Sequence, residues 1–130
     1  MEEPQQLPNW CHRTLLIAED LDDNYAVLAA LLKKTHVKML RAKNGSEAIR
    51  MVCEHKDIDV ILMDLSMPEI DGIEATQAIK EQFPEKIIIA QTAHDMSNQV
   101  QNMAEKGFDD ILLKPIRRNQ LIDLLNKYLS

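Results

Sequence analysis

The chain is poor in the residues that mark several specialised protein classes. Its 130 residues include only 2 cysteines, 3 glycines and 5 prolines. Cys11 and Cys53 form no CxxC spacing, so the chain is no disulfide scaffold, and we expect two unrelated thiols in a reducing compartment. Because glycine and proline are scarce and the apolar fraction is 45%, the composition indicates a compact globular protein and not a disordered one.

Long apolar runs and concentrated basic charge are also missing. No stretch approaches the ~20 apolar residues that span a bilayer, and the chain does not open on a hydrophobic signal region. We therefore expect a soluble, cytoplasmic segment without membrane contact. The net charge is -6 and the 15 basic residues are scattered, which argues against direct binding of nucleic acid. The 4 histidines are too dispersed to resemble a zinc site.

Short apolar runs alternate with amphipathic helical patterns along the chain. These runs predict five strands, which begin near Leu15, Val37, Val60, Ile87 and Ile111. Most of them are continuously apolar, as is typical of strands covered on both faces. Because parallel strands need crossover connections, the alternation predicts an α/β fold, a three-layer αβα sandwich around a parallel sheet.

The length suits a single domain, with a short segment before it. Residues 1–12 are polar and without period, so they are predicted to be a leader or linker, and residues 13–130 the domain. Asp22 or Asp23 is predicted to be the N-cap of the first helix. The third helix is expected from Ile73 to about Gln82, and the fourth around Val100 and Met103.

Charged and hydroxyl side chains stand at four of the predicted strand ends. They are Glu19 and Asp20 after the first strand, Asp64 at the third, Thr92 at the fourth and Lys114 at the fifth. Ligands of parallel sheets gather at this edge. Two carboxylates about 4 Å apart repel by on the order of 4 kcal/mol at an effective dielectric of ~20, so a positive group must share the site. Mg²⁺, or Mn²⁺ in its place, suits such oxygen ligands.

This set of residues matches what phosphoryl transfer to a carboxylate requires. Asp64 would be the nucleophile, Thr92 would donate a hydrogen bond to one phosphoryl oxygen, and Lys114 would pair with another. No general base is needed, because a carboxylate is ionised at neutral pH. Each residue alone has an ordinary explanation, as a surface turn, a strand-end hydroxyl or a solvated lysine. Their occurrence together at successive strand ends favours a site.

From about Thr14 to Leu129, the chain resembles the receiver domain of bacterial two-component response regulators. The resemblance rests on the motif around Glu19-Asp20 and on three others, Met63-Asp64-Leu65-Ser66-Met67-Pro68-Glu69-Ile70-Asp71-Gly72, Thr92-Ala93 and Lys114-Pro115-Ile116. It implies a flavodoxin-like (βα)5 fold with strand order 2-1-3-4-5. Asp64 would then be the phosphoacceptor, and Thr92 and Lys114 would occupy the positions of the switch threonine and the lysine.

The same resemblance implies the metal ligands. Asp20 and Asp64 would bind Mg²⁺ directly, together with the backbone carbonyl of Ser66, while Glu19 would act largely through water. The isolated domain would then catalyse its own phosphorylation and dephosphorylation.

The resemblance also implies partners. The phosphoryl donor would be the phosphohistidine of a histidine kinase or of a histidine phosphotransfer protein. It would approach past the first helix, which makes Asn24, Tyr25 and Leu28 candidate docking positions. The sequence stretches that begin at Thr92 and at Gly107 resemble the same stretches of receivers attached to hybrid sensor histidine kinases. The parent chain can therefore be such a kinase and can be membrane-anchored.

A second surface implied by the resemblance is formed by the fourth helix, the fifth strand and the fifth helix. It includes Met96, Ile111 and Arg117, and many family members use it for homodimers or outputs. Ile111 stands where many receivers carry Tyr or Phe. This departure favours phosphoryl relay over output switching.

Three other functions compete with phosphoacceptance. A haloacid-dehalogenase-like phosphatase would need an Asp at the position of Ser66 and its nucleophile in the first strand. A calcium-binding loop starting at Asp20 would need glycine at Tyr25 and glutamate at Leu31. A receiver-like module that binds a partner without phosphorylation remains open as the alternative.

Overall fold

The computed structural model describes residues 7–65, 72–92 and 105–130. Within these ranges no helix is long and apolar enough to cross a membrane. The predicted helix around Val100 and Met103, and Ser66, whose carbonyl is the predicted metal ligand, lie outside the described residues.

Five parallel strands form one sheet in the order β2-β1-β3-β4-β5, as predicted. This is the flavodoxin-like arrangement, with the order reversing beside β1. Strands β1 and β3 are buried along their whole length because both faces of the sheet are covered. The strands are β1 Thr14–Ala18, β2 Lys38–Ala42, β3 Val60–Asp64, β4 Ile87–Thr92 and β5 Asp110–Leu113.

Four α-helices lie among the described residues. They are α1 Asp22–Leu32, α2 Gly45–Glu54, α3 Gly72–Gln82 and α4 Arg118–Leu129, and a 3-10 turn, Lys33–Thr35, follows α1. Helix α2 begins after Asn44, whose side chain accepts a hydrogen bond from the backbone N–H of Glu47.

The prediction that Asp22 or Asp23 is the N-cap of the first helix was wrong. Leu21 is the N-cap residue and makes no side-chain cap hydrogen bond, while Asp22 and Asp23 belong to the first turn. The carboxylate of Asp22 lies 2.7 Å from the guanidinium of Arg41. Asp22 therefore forms an ion pair with Arg41 of β2. Its negative charge also lies at the N-terminus of α1, where negative charge is favourable.

Side chains alternate between the two faces of each strand and divide the core into two clusters. One cluster packs under α2 and α3 and includes Leu16, Ile61 and Ile88. The other packs under α1 and α4 and includes Ile17, Leu62 and Ile89.

Trp10 adds to the second cluster from the segment predicted as a leader. It is 3% exposed, and its backbone N–H donates to the carbonyl oxygen of Thr35 at 2.7 Å. The domain boundary after residue 12 stays a prediction, and Trp10 on its N-terminal side is a core residue.

Candidate functional site

Neighbouring strands bring three carboxylates together at the carboxyl edge of the sheet. Ala18 of β1 is in register with Met63 of β3, so the residues that follow them, Glu19 and Asp64, emerge side by side. Glu19, Asp20 and Asp64 each offer an oxygen, and these oxygens lie within 4.8 Å of one another. The predicted convergence of these side chains is therefore present in the fold.

Lys114 brings a positive charge to the same edge. Its Nζ lies 3.5 Å from Oδ1 of Asp64, and the side chain of Asp64 is 3% exposed. The backbone N–H of Lys114 donates to the carbonyl oxygen of Thr92 at 2.9 Å, which extends the β4–β5 pairing to the site. The peptide bond between Lys114 and Pro115 is cis.

Both burial and the neighbouring negative charge act on Glu19. Burial, followed by the charge of Asp64, raises the pKa of Glu19 to about 7, against the opposing effects of the Leu21 N–H and of Lys114. One oxygen, Oε2, accepts a hydrogen bond from the backbone of Leu21 at 3.3 Å. The other, Oε1, is buried and has no hydrogen-bond partner in the described parts of the chain.

These features fit a hard divalent cation. A buried oxygen without a partner, beside two further carboxylates, is an environment in which a cation offsets both desolvation and repulsion. The single positive charge of Lys114 does not balance the charges of three carboxylates. The donor set contains only oxygen, which Mg²⁺ prefers.

Thr92 ends β4 beside this cluster. The residue is 1% exposed, and its Oγ1 finds no hydrogen-bond partner within residues 7–65, 72–92 and 105–130. Buried hydroxyl groups in folded proteins are normally hydrogen-bonded. A hydroxyl in this state is available to an oxygen atom of a bound group.

Gly72 allows the chain to start α3 against the end of β3. A Cβ atom at this position would lie 2.5 Å from the backbone oxygen of Asp64, well inside van der Waals contact. The neighbour is backbone and cannot swing away, so only glycine fits. In the sequence Gly72 is the last residue of the receiver-like motif around Asp64, and no separate role was predicted for it.

Arg41 supports the acidic loop, and the sequence analysis missed it. Its Nε donates to the backbone oxygen of Glu19 at 3.1 Å, its Nη1 pairs with Asp22, and its guanidinium lies 4.8 Å from the ring centre of Tyr25. The signal available in the sequence was a single arginine near the end of a strand. Its partners are remote in sequence, so no local pattern identifies them.

The predicted docking positions on α1 differ in their surroundings. Asn24 and Leu28 line a cavity beside the site, whereas Tyr25 packs against the second core cluster beneath Arg41. On the second predicted surface, Ile111 is partly buried against the first core cluster and Arg117 precedes α4 as its N-cap. Met96 lies outside the described residues.

Comparison with known proteins identifies the family. Residues 15–126 match the family model of the response regulator receiver domain. The chain belongs to this family. As a receiver, it is 37% identical over 116 residues to two-component system protein A of Emericella nidulans, a match that covers 88% of this chain and 17% of that protein. The receiver thus spans about a sixth of that relative's length.

Two solved receiver structures are similar to this chain over at least 90% of its length. The receiver domain of sensor histidine kinase PA1611 from Pseudomonas aeruginosa, which has a magnesium ion coordinated in its active site cleft, superposes with a TM-score of 0.80, 31% identity and coverage of 90% of this chain and 97% of that one. The receiver domain of Ssk1 from Saccharomyces cerevisiae, in complex with the histidine phosphotransfer protein Ypd1, gives a TM-score of 0.82, 28% identity and coverage of 96% and 92%.

Proposed function

We propose that this receiver takes a phosphoryl group on Asp64 from the phosphohistidine of a histidine kinase or histidine phosphotransfer protein, in a Mg²⁺-dependent reaction. The proposal rests on the surroundings of the Asp64 carboxylate. Asp64 is 2% exposed as a residue, contacts Lys114, and shares its edge of the sheet with two further acidic side chains. A structural ion pair would need only one carboxylate, so the additional acids point to a cation and to phosphate chemistry.

Two carboxylates and one carbonyl are the proposed direct metal ligands, and a third carboxylate is proposed to act through water. Asp20 and Asp64 would bind the ion directly with the Ser66 carbonyl, and Glu19 would contribute through water. When bound, Mg²⁺ supplies positive charge that offsets the repulsion between the acceptor carboxylate and the phosphoryl oxygens. The magnesium ion in the cleft of the PA1611 receiver supports this assignment.

The residues of this chain have separate roles in the transfer. An oxygen of Asp64 forms a bond to phosphorus as the bond from phosphorus to the imidazole nitrogen breaks, and the electron pair of that bond remains on the nitrogen. The ammonium of Lys114 pairs with one phosphoryl oxygen and the hydroxyl of Thr92 donates to another, so charge is neutralised as the group arrives. Burial of Asp64 excludes most bulk water from the acyl phosphate.

The partner is proposed to dock over α1. Leu21 and Val27, at the start and middle of this helix, are 56% and 54% exposed although both are apolar. Asn24 lies between them and lines the cavity next to Lys114. Apolar side chains left open beside a reactive carboxylate suit a partner helix that carries the phosphohistidine. The Ypd1 complex of the Ssk1 receiver supports a partner of this kind.

Intact-mass measurement after treatment with acetyl phosphate and Mg²⁺ tests the proposal. We expect one labile phosphoryl group on the parent protein, none on Asp64→Asn, and none in the parent when the metal is chelated. Asp23→Asn is the matched control, because Asp23 is an exposed carboxylate of α1. A parent protein that gains no mass, with the same fold and with Mg²⁺ present, would contradict phosphoacceptance and favour the module that binds without phosphorylation.

A further inference from the structure

The loop between β1 and α1 carries two of the three acids of the proposed metal site. It consists of Glu19, Asp20 and Leu21, and Asp20 is only half-buried. The β1–β2 ladder ends with Ala18 opposite Ala42, and the Glu19 N–H donates to the carbonyl oxygen of Ala42 at 2.9 Å. Strand β2 ends at Ala42, so the rest of the loop lies beyond the strand ladder.

Arg41, the residue before the end of β2, has a side chain that is held in one position. It is in register with Ile17, which packs in the second core cluster, so the side chain of Arg41 lies on the face that α1 covers. This side chain is 18% exposed, and its Nη2 is buried without a hydrogen-bond partner in the described ranges. A guanidinium free to rotate would place that N–H group in water. The other contacts of Arg41 therefore hold the guanidinium in place.

These contacts lie on both sides of Asp20 in the sequence. Before it, the backbone oxygen of Glu19 accepts a hydrogen bond from Nε of Arg41 at 3.1 Å. After it, Oδ1 of Asp22 lies 2.7 Å from Nη1, and the ring centre of Tyr25 lies 4.8 Å from the guanidinium. One side chain of β2 thus fixes the loop before and after the Asp20 carboxylate.

The contacts suit orientation of the loop better than stability of the fold. The side chain of Asp22 is 81% exposed, and an ion pair with an exposed partner contributes little to the free energy of folding. The planar guanidinium presents its donors at fixed angles, so bonds to Glu19 and Asp22 together set the distance between the two ends of the loop. Residues that hold metal ligands from behind typically affect metal affinity by roughly 10- to 100-fold.

The charge of Arg41 acts on a bound cation in the opposite direction to this support. A guanidinium repels Mg²⁺, so removing its charge alone would strengthen Mg²⁺ binding. Removing a support of the ligands would weaken Mg²⁺ binding. The sign of the change in affinity therefore distinguishes the two effects.

We propose that Arg41 is a positioning residue of the metal site, which holds Glu19 and Asp20 in the geometry that binds Mg²⁺ without touching the ion. This proposal rests on the proposed function, because it takes the acidic cluster as a Mg²⁺ site. Titration with Mg²⁺ needs no phosphodonor, so its result does not depend on whether Asp64 accepts a phosphoryl group.

NMR titration of the ¹⁵N-labelled whole chain with Mg²⁺ measures the Kd, followed on the backbone amides of Leu21 and Leu65. Arg41→Met removes the guanidinium and keeps an unbranched apolar stem against Tyr25. Its Kd for Mg²⁺ is expected to rise roughly tenfold or more. Arg41→Lys keeps the charge without the planar fork of donors, and it is expected to recover only part of the affinity.

Lys43→Met is the matched control for the loss of positive charge. Lys43 is exposed, and its charge acts on Asp22, as that of Arg41 does. The Kd of Lys43→Met is expected to equal that of the parent or to fall slightly. A Kd of Arg41→Met that equals that of the parent, or falls as in Lys43→Met, would overturn the proposal.

Labelling by acetyl phosphate gives a second readout. In Arg41→Met, the Mg²⁺ concentration for the half-maximal rate is expected to rise with the Kd. The rate at saturating Mg²⁺ should stay close to that of the parent, because Thr92 and Lys114 are unchanged. A lower rate at saturating Mg²⁺ with an unchanged half-maximal concentration would overturn the positioning role.

A matched pair on α1 decides the question if Arg41→Met fails to fold. Asp22→Ala and Asp23→Ala each remove one exposed carboxylate from the first turn, and Asp22 is the one that pairs with Arg41. Asp22→Ala is expected to raise the Kd for Mg²⁺ several-fold more than Asp23→Ala, and equal effects would overturn the proposal. A parent chain that binds no Mg²⁺ would instead overturn the metal site itself.

Discussion

Buried polar atoms without partners concentrate at one edge of the sheet. In the described ranges they include Oε1 of Glu19, Oγ1 of Thr92 and both amide atoms of Gln91, all at the carboxyl ends of β1 and β4. Arg41 Nη2, in β2, and Thr76 Oγ1, in α3, also lack a partner in these ranges, whereas the buried hydroxyl of Thr35 donates to the carbonyl oxygen of Leu32. A protein tolerates unpaired buried groups mainly where a ligand or a reacting group completes them.

A substitution at Thr92 distinguishes a chemical role of its hydroxyl group from a structural one. Replacing it with valine keeps the shape and removes a hydroxyl that has no partner in the described chain, so we expect stability to change by less than about 1 kcal/mol. The loss of one donor to a phosphoryl oxygen should slow labelling of Asp64 by acetyl phosphate roughly 10- to 100-fold.

Thr92→Ser is the matched control for that substitution. Serine keeps the hydroxyl, so most of the labelling rate should return. The measurements are the rate of mass gain and the urea midpoint of each variant. If Thr92→Val labels as fast as the parent, the hydroxyl has no part in the transfer.

At the scale of elements, side-chain bonds join the edge strand β5 to α4 and to α3. Asp110 accepts hydrogen bonds from the Tyr128 hydroxyl at 2.9 Å and from Lys127 at 3.0 Å. Asp109 pairs with Lys80 of α3 at 2.9 Å and accepts from the backbone N–H of Ile88. These bonds anchor the amino end of β5, the strand whose carboxyl end leads to Lys114.

The pKa shifts of this contact predict a pH dependence. Burial raises the pKa of Asp110, but hydrogen bonds from Lys127, from the Ile111 backbone and from Tyr128 outweigh it, so the pKa lies below the usual 3.8. Burial, followed by the Asp110 hydrogen bond, raises the pKa of Tyr128 to about 12. The ionised carboxylate and the neutral phenol are therefore the favoured pair.

Asp110→Asn should lower the free energy of unfolding by about 1 kcal/mol near neutral pH. Because the folded pKa of Asp110 is depressed, its contribution is present above 3.8 and is lost as pH falls through the lower folded value. Urea unfolding of parent and variant should show a gap that closes in acid. Asp123→Asn, an exposed change on α4, should show no gap at either pH, and a gap that widened in acid would refute the assignment.

For the whole molecule, the charge distribution predicts metal-dependent stability. The net charge is -6, and three carboxylates share one edge of the sheet. A ligand that binds only the folded state stabilises it by about 2.7 kcal/mol at 100 times its Kd.

Mg²⁺ should therefore raise the melting temperature of the parent, and Asp20→Asn should remove most of the increase. Asp23→Asn, an exposed acid of α1, is the matched control and should respond like the parent. Calorimetric scans with Mg²⁺ and with a chelator measure the difference. An equal response of Asp20→Asn and the parent would point to nonspecific screening of charge.

Contacts between the two ends of the chain also act on the whole molecule. The Trp10 Nε1 donates to Oγ of Ser130 at 3.4 Å, and Arg13 Nε donates to the carbonyl oxygen of Leu129 at 3.0 Å. The ring of Trp10 is almost completely buried in the second core cluster. The predicted leader is thus tied to the last helix.

Trp10→Ala should cost about 3–5 kcal/mol of unfolding free energy, because it removes a large buried side chain and leaves a cavity. Trp10→Phe keeps most of the apolar volume and should cost much less. Denaturant unfolding of both variants measures the difference. A small loss for Trp10→Ala would mean that the segment before Arg13 is not part of the cooperative unit.

The sequence by itself determined the strands, the parallel α/β fold and the residue types at the strand ends. These follow from local features, since a continuously apolar run of four to six residues is buried on both faces wherever it lies. The positions of Glu19, Asp64, Thr92 and Lys114 at the ends of the first, third, fourth and fifth strands were sufficient to place them at one edge, because parallel strands end on the same side. The strand order came from the family resemblance and agrees with the structure.

Only the tertiary structure decided how those groups interact. The raised pKa of Glu19, the support of its loop by Arg41, the unpaired amide of Gln91 and the burial of Trp10 each depend on residues far apart in sequence. Asp22 was misassigned for the same reason, because its partner Arg41 lies on another strand. Distance and burial set electrostatic energies, and both arise only when the chain has packed.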